Sequence, residues 1–451
     1  MRQRPAFFIL AGSLAFSGWA RAQSQPDYEQ PPLSYSATTP RDAIAILQKR
    51  LAAGELVFAG IDRRMLQAVL DALGVSAESQ ILVFSRTSLQ RGRIRPEHPR
   101  ALYFSDSAYV GWVPGGLIEV TTIDAQLGPV FYSFDPSAAR LAAPKFERDA
   151  DCLRCHGGTF VREIPGVFAR SVFPDISGEP LGRHGSIVVD DETPFEQRWG
   201  GWYVTGYHGA ENHRGNVRGS ERGDQLVFEL ARTRPDELSE FFDVTEYLRP
   251  RSDVVALLVF EHQLTVQNAL THAGMKARRM IAYQQGLQKA FKEPVTDEPA
   301  FDSVKSVFAS EVEAVVDRLL FRHAAPVPQG VVGHESFRKS FAQDARRDPA
   351  GHSLKDLQLR DRLFAHRCSF LIYSESFHAL PETLRIRILD RLQAALLSRD
   401  PNDRYAYLGD AEKQRIYDIL RATHPDARQR WNDEPGAENA TSEEGRFPTV
   451  R

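Results

Sequence analysis

Two of the chain's three cysteines, Cys152 and Cys155, stand three positions apart with His156 directly after them, and this cluster constrains the fold most. A disulfide framework would use an even number of cysteines at recurring spacings. The third, Cys368, lies far along the chain. A structural zinc site needs four ligands, usually from two such pairs, and there is one pair. A thioredoxin-type Cys-x-x-Cys needs a low-pKa thiol opening a helix in a βαβ unit, and it has no use for the adjacent histidine.

The spacing Cys152-Leu153-Arg154-Cys155-His156 fits covalent attachment of one haem c. Two thiols reach two vinyl groups on one edge of the porphyrin, and His156 swings under the ring to ligate iron. Gly157 and Gly158 then let the backbone lie close to the macrocycle without a Cβ in the way. The first residues point the same way. Arg2 and Arg4 are followed by an apolar run of about 15 residues, Ala6 to Ala20, and by Ala20-Arg21-Ala22 as a cleavage signature before Gln23. That run is short of the roughly 20 residues that span a bilayer, so a cleaved signal over 1–22 is expected. The mature chain is then exported, to the periplasm if the source is Gram-negative. No later segment reads as an integral membrane span.

The rest of the chain divides by pattern. Residues 23–38 are rich in Pro, Ser and Gln and read as a linker. Thr39-Pro40 reads as a helix start leading into Ala43–Leu51, and a second helix covers Arg63–Leu73, stopped by Gly74. Short β-branched and aromatic runs follow at Ala101–Phe104, Tyr109–Val113, Leu117–Thr122, Val130–Phe134, Val167–Val172, Gly185–Val189 and Gly201–Thr205. Helical patterns dominate later, from Asp253 past Met280 and at Asp302–Phe321, Leu354–Phe364, Pro381–Leu397 and Ala411–Ala422. The expected class is α+β. An α/β haem-binding part over 39–225, whose sheet is loosely PAS-like, precedes a helical part over 226–431, and 432–451 is an acidic, polar, disordered tail.

The haem motif resembles c-type cytochromes in general. Further stretches resemble a family of uncharacterised exported bacterial monohaem proteins: Tyr109-Val110-Gly111-Trp112-Val113, Arg198-Trp199-Gly200-Gly201-Trp202-Tyr203, His208-Gly209, His213-Arg214-Gly215-Asn216 and Cys368-Ser369-Phe370-Leu371. The resemblance runs over most of the mature chain and brings no known reaction. It supports haem binding and leaves the purpose open. Where similar sequences carry a methionine after the histidine, this chain has Arg214, so no methionine ligates iron there.

A second axial ligand has several candidates. His208 and His213 stand in a glycine-rich segment that can fold over the ring, and His184 is a third choice. Met65, Met275 and Met280 are poorly placed for a compact carrier domain. Leu258, His262, Thr265, Ala269, His272 and Met275 recur at helical spacing and read as a packed helix face. Without any of these the iron is five-coordinate, which is what catalysis or gas binding requires. Cys368 reads as a small buried hydrophobe. Trp112, Trp199, Trp202 and Tyr203 read as core or haem-contact aromatics, and Arg154, Arg162, Arg183 and Arg214 as surface charge.

A net charge of −3 over 451 residues gives no basic face for nucleic acid. Three roles stay open for the haem. The first is electron transfer to unknown redox partner proteins. The second is a haem-dependent oxidoreductase acting on a small substrate. The third is a haem sensor or ligand-binding module. A plain carrier needs only one compact domain, and the helical half exceeds that.

Overall fold

In the computed structural model, residues 25–58, 60–137, 144–209, 212–223, 225–230 and 235–432 are described. The expected signal segment 1–22 and all but the first residue of the expected tail lie outside them. The architecture is α+β, as the patterning predicts. Helices α1 (Ala43–Ala52) and α2 (Arg63–Ala72) come first. Six strands then follow in order: β1 (Ile81–Val83), β2 (Arg100–Phe104), β3 (Ala108–Trp112), β4 (Ile118–Asp124), β5 (Gly128–Phe134) and β6 (Glu147–Arg148). Consecutive strands lie side by side and antiparallel. After the short α3 (Leu153–His156) and a hairpin of β7 (Ala169–Val172) and β8 (Ser186–Val189), β9 (Trp202–Tyr203) pairs with β1 and completes a seven-stranded sheet.

Period-2 alternation gives this sheet two different faces. Ala101, Tyr103, Val110, Trp112, Val120 and Val130 point one way and share a core with Ile44 and Leu47 of α1 and Leu66, Val69 and Leu70 of α2. Phe104, Tyr109, Ile123 and Phe131 point the other way, into a core that continues through the helical half. The start of α1 differs from expectation. Its cap is Asp42, not Thr39, and the Asp42 carboxylate accepts from the Ala45 N–H at 2.9 Å and from the hydroxyls of Thr122 and Tyr132, each at 2.8 Å. A buried cap tied to two strands outweighs a local Thr-Pro signal.

The remaining pieces connect the halves. Strand β10 (Tyr207–His208) precedes the hairpin β11 (Val217–Arg222) and β12 (Gln225–Leu230). Helix α4 (Val254–Phe291) runs for 38 residues and starts where Asp253 accepts from the N–H groups of Val255 and Ala256. Its Val254–Leu264 stretch is buried on every side. Then come α5 (Asp302–Leu319), β13 (Val331–Val332), which pairs back to β10, α6 (Glu335–Phe341), α7 (Glu375–His378), α8 (Glu382–Leu397), α9 (Asp410–Thr423) and α10 (Pro425–Asn432). The helix expected over Leu354–Phe364 does not form. Leu359 is left-handed (φ 59°), Gln358 donates to the Leu363 carbonyl, and Leu357 bridges to Phe364, so the chain doubles back. Its apolar residues are those of a buried loop. Among the described residues no helix is long and apolar enough to cross a membrane.

Candidate haem site

The second face of the sheet does not meet the helices everywhere. Leu102, Tyr109, Gly111, Glu119, Thr121 and Phe131 floor a cavity of about 770 Å³. That volume is within the roughly 300–1,000 Å³ typical of cofactor and ligand sites. Phe260 and Leu264 of α4 wall it on one side, with Trp202 and the 167–170 segment beside them. The loop after β1, from Ser85 to Arg91, forms another wall. Cys152, Arg154, Cys155 and His156 all line the same space.

The motif is one short turn of helix, preceded by a turn that Asp149 caps by accepting from the Asp151 N–H. Both cysteines are unbridged; Cys152 is half-buried and Cys155 exposed. Burial, with Asp149 and Glu119 nearby, pushes the Cys152 thiol up to about 12. A thiol held that far from ionising is unsuited to disulfide exchange, where a lowered pKa is needed. Among the described residues no group of three His, Cys, Asp or Glu side chains gathers to hold a metal ion by itself.

His156 is framed on three sides. Its ring lies 4.7 Å from that of Phe131 and 4.8 Å from that of Phe168, tilted about 40° to each. Its Nδ1 is 2.8 Å from the Gly166 carbonyl oxygen, and the Gly166 N–H donates back to the His156 carbonyl at 2.8 Å. A carbonyl can only accept, so Nδ1 carries the proton and Nε2 presents its lone pair. Desolvation holds the imidazole neutral, with a pKa down at about 4. This is the arrangement of a metal-ligating histidine: neutral, one nitrogen donating to a backbone carbonyl and the other free.

Asn268 on α4 fixes that carbonyl's surroundings. Its Oδ1 accepts from the Val167 N–H at 2.9 Å and its Nδ2 donates to the Val167 carbonyl at 2.6 Å, as a neighbouring strand would. Gly166 has to be glycine here, because a Cβ would lie 2.8 Å from the Val161 Cβ and 2.9 Å from Asn268 Oδ1. Gly157 needs its missing Cβ because of Tyr28, whose hydroxyl occupies that space.

The structure does not bring the other expected ligands to the cavity. His208 and His213 pack against each other, ring centroids 4.3 Å apart, and His213 lies 5.0 Å from Trp199. Neither is among the residues lining the cavity. His213 Nδ1 accepts from the Gly215 N–H, so the turn that seemed able to cover a ring is folded on itself. His184 sits at 3.1 Å from Glu221 in a separate cluster. His272 bonds Glu311 at 3.0 Å. His262 is fully buried with both nitrogens engaged, Nδ1 by Asp191 at 3.0 Å and Nε2 by the Ser369 hydroxyl at 2.8 Å. That Asp–His–Ser line resembles a hydrolytic triad, but Ser369 is fully buried in the core beyond reach of a substrate. Met275 and Cys368 are core residues. Trp202 lines the cavity, while Trp112 and Trp199 are buried away from it. Of the four arginines singled out, Arg154 lines the space. Arg183 pairs with Glu221, and Arg214 lies 4.5 Å over the Phe173 ring.

Sequence reasoning missed Asn268, Gly166, Arg100 and the Ser85–Arg91 loop. None belongs to a motif; only the fold places them against the cluster at 152–156. No family model, no curated protein and no solved structure matches this chain.

Proposed function

We propose that the chain is an exported monohaem c-type protein that carries haem through Cys152 and Cys155, with His156 as iron ligand, and works by electron transfer at that haem. One observation carries this reading: the Cys-x-x-Cys-His cluster opens onto a cofactor-sized cavity with His156 Nδ1 already committed to the Gly166 carbonyl. The fit is chemical as well as spatial. Phe131, Phe168, Phe260, Leu264, Leu102 and Val167 offer an apolar enclosure, and arginines at the same cavity offer partners for carboxylates. Bound haem would supply one-electron redox chemistry and an iron at which a small ligand could bind.

The protein's own part is positional and electrostatic. The two thiols tether, Gly166 orients the imidazole, and Asn268 holds Gly166–Val167 in place. The aromatic flanks exclude water from His156 and keep it neutral. A second reading, a haem-dependent oxidoreductase acting on a small substrate, draws on one feature of the same cavity. Among the described residues that line the cavity there is no second histidine and no methionine. A carrier is expected to supply one.

The test uses mature protein exported alongside a haem-attachment system. A covalent haem is expected, surviving denaturation and adding its mass to the chain, and Cys152→Ala with Cys155→Ala abolishes it. Ferrous protein that binds carbon monoxide supports the substrate role; a six-coordinate iron inert to it returns the protein to the carrier role. Colourless protein of unmodified mass ends the proposal.

A further inference from the structure

The cavity's charge runs against that of the whole molecule. The chain carries a formal net charge of −3. Yet five arginines line this space: Arg86, Arg91, Arg100, Arg154 and Arg170. Among the described lining residues Glu119 and Asp151 oppose them, and Glu179 outside the lining pairs with Arg86 at 3.4 Å. A low-dielectric recess lined mainly by one sign of charge concentrates ions of the opposite sign.

Arg100 is the group placed deepest in the sheet floor. It stands on β2 and reaches across β3 to an ion pair with Glu119 on β4, at side-chain exposures of 19% and 16%. The reach is possible because position 111 is glycine; a Cβ there would run into the guanidinium. One carboxylate is a poor match for five donors fixed in a planar fork. Arg100 Nε is buried without a hydrogen-bond partner. Nε itself is closed off, and the other N–H groups of this cavity-lining side chain are the donors that a carboxylate or oxyanion would meet. Hydroxyls of Ser85, Thr87, Ser88 and Thr121 line the same space as further donors.

We infer that this cavity takes an anionic ligand, a carboxylate or a small inorganic oxyanion, with Arg100 as its principal contact. Two sources share that chemistry. One is a free anion, which makes the small substrate or ligand of the cavity anionic. The other is the propionate edge of haem itself, and this arm rests on the haem reading above.

Calorimetric titration of the mature, haem-loaded protein with sodium acetate and with sodium sulfate separates the sources. A free-anion site takes up at least one of them, and Arg100→Gln weakens uptake roughly tenfold to a hundredfold, the worth of a charge-assisted hydrogen bond. Gly111→Ala keeps the charge but displaces the guanidinium, and weakens uptake in the same direction. If haem propionates fill the site, neither anion is taken up, and Arg100→Gln instead changes how the haem midpoint potential depends on pH. The double variant Arg100→Gln with Glu119→Gln removes both charges and guards against misfolding of the single one, with thermal melts compared. No uptake in wild type, together with a potential-versus-pH curve that Arg100→Gln leaves unchanged, overturns the inference. Protein that carries no haem defeats the reading above it, but calorimetry still decides: uptake lost in Arg100→Gln supports an anion site, and no uptake overturns it.

Discussion

Asn268→Ala tests whether α4 sets the geometry of His156. The substitution removes two hydrogen bonds, at 2.9 and 2.6 Å, from the Val167 peptide groups in a half-buried position. Each such bond is worth about 0.5–1.5 kcal/mol net, and a backbone group left unsatisfied costs about 1–3 kcal/mol. Water reaches part of this site, so the expected loss is about 2–4 kcal/mol. Urea unfolding of the haem-loaded protein is the assay, with the midpoint falling and the slope unchanged, since neither end state changes its exposed area much. A second reading separates positioning from general stability. With Val167 released, the Gly166 carbonyl no longer meets His156 Nδ1 in a fixed orientation, so the visible absorption of the haem shifts. An unfolding free energy within about 0.5 kcal/mol of wild type refutes the energetic reasoning. A lower midpoint with an unaltered spectrum refutes the positioning role and leaves Asn268 as a packing residue only.

Three further outcomes follow from the geometry. His208→Ala and His213→Ala each leave the ferric spin state of the haem as in wild type, read by electron paramagnetic resonance; a change of spin state makes the altered histidine a ligand. Gly166→Ala forces Val161 and Asn268 apart and costs about 1–3 kcal/mol, with the haem spectrum altered; an unaltered urea midpoint and spectrum count against the close packing described. Acid destabilises the fold over a defined range. Burial depresses His213 to about 3 and His424 to about 4 from the ordinary imidazole value of 6.5. Their neutral forms stabilise the fold fully above pH 6.5, and that contribution is lost as pH falls through the folded values. Glu261, raised to about 7 by burial despite Arg198, acts in the opposite direction between pH 7 and 4.5. The urea midpoint therefore drops most steeply below pH 4.5, and a midpoint that holds steady from pH 6.5 to 3.5 contradicts the burial of these rings.

The alternation of Val, Tyr, Thr and Phe between residues 101 and 134 was enough to read four strands, whose side chains alternate between two cores. The cluster at 152–156 could be singled out because its residues are consecutive, and the fold sets Cys152, Cys155 and His156 on one cavity. What lay beyond reading was whatever depends on distant partners. Asn268 looks like any polar helix residue until Val167 is found beside it. Arg100 looks like surface charge until Gly111 opens a path over β3. His208 and His213 misled for the opposite reason. Glycines around them suggested a free loop, whereas Gly209 and Gly215 allow close packing, against the Gln329 carbonyl and the His213 ring. At Leu354–Phe364 apolar spacing imitated a helix because a tightly folded buried loop also hides its hydrophobic side chains.

Helix α4 closes the cavity with Phe260 and Leu264, anchors the Val167 peptide with Asn268, and forms the spine of everything after it. The molecule therefore has no natural place to be cut down. A fragment ending ahead of Asp253 would retain Cys152, Cys155 and His156 yet lose Phe260 and Leu264 over them, exposing a broad oily trough to solvent. The length that exceeds a single compact domain is what gives the cavity beside Cys152, Cys155 and His156 its roof.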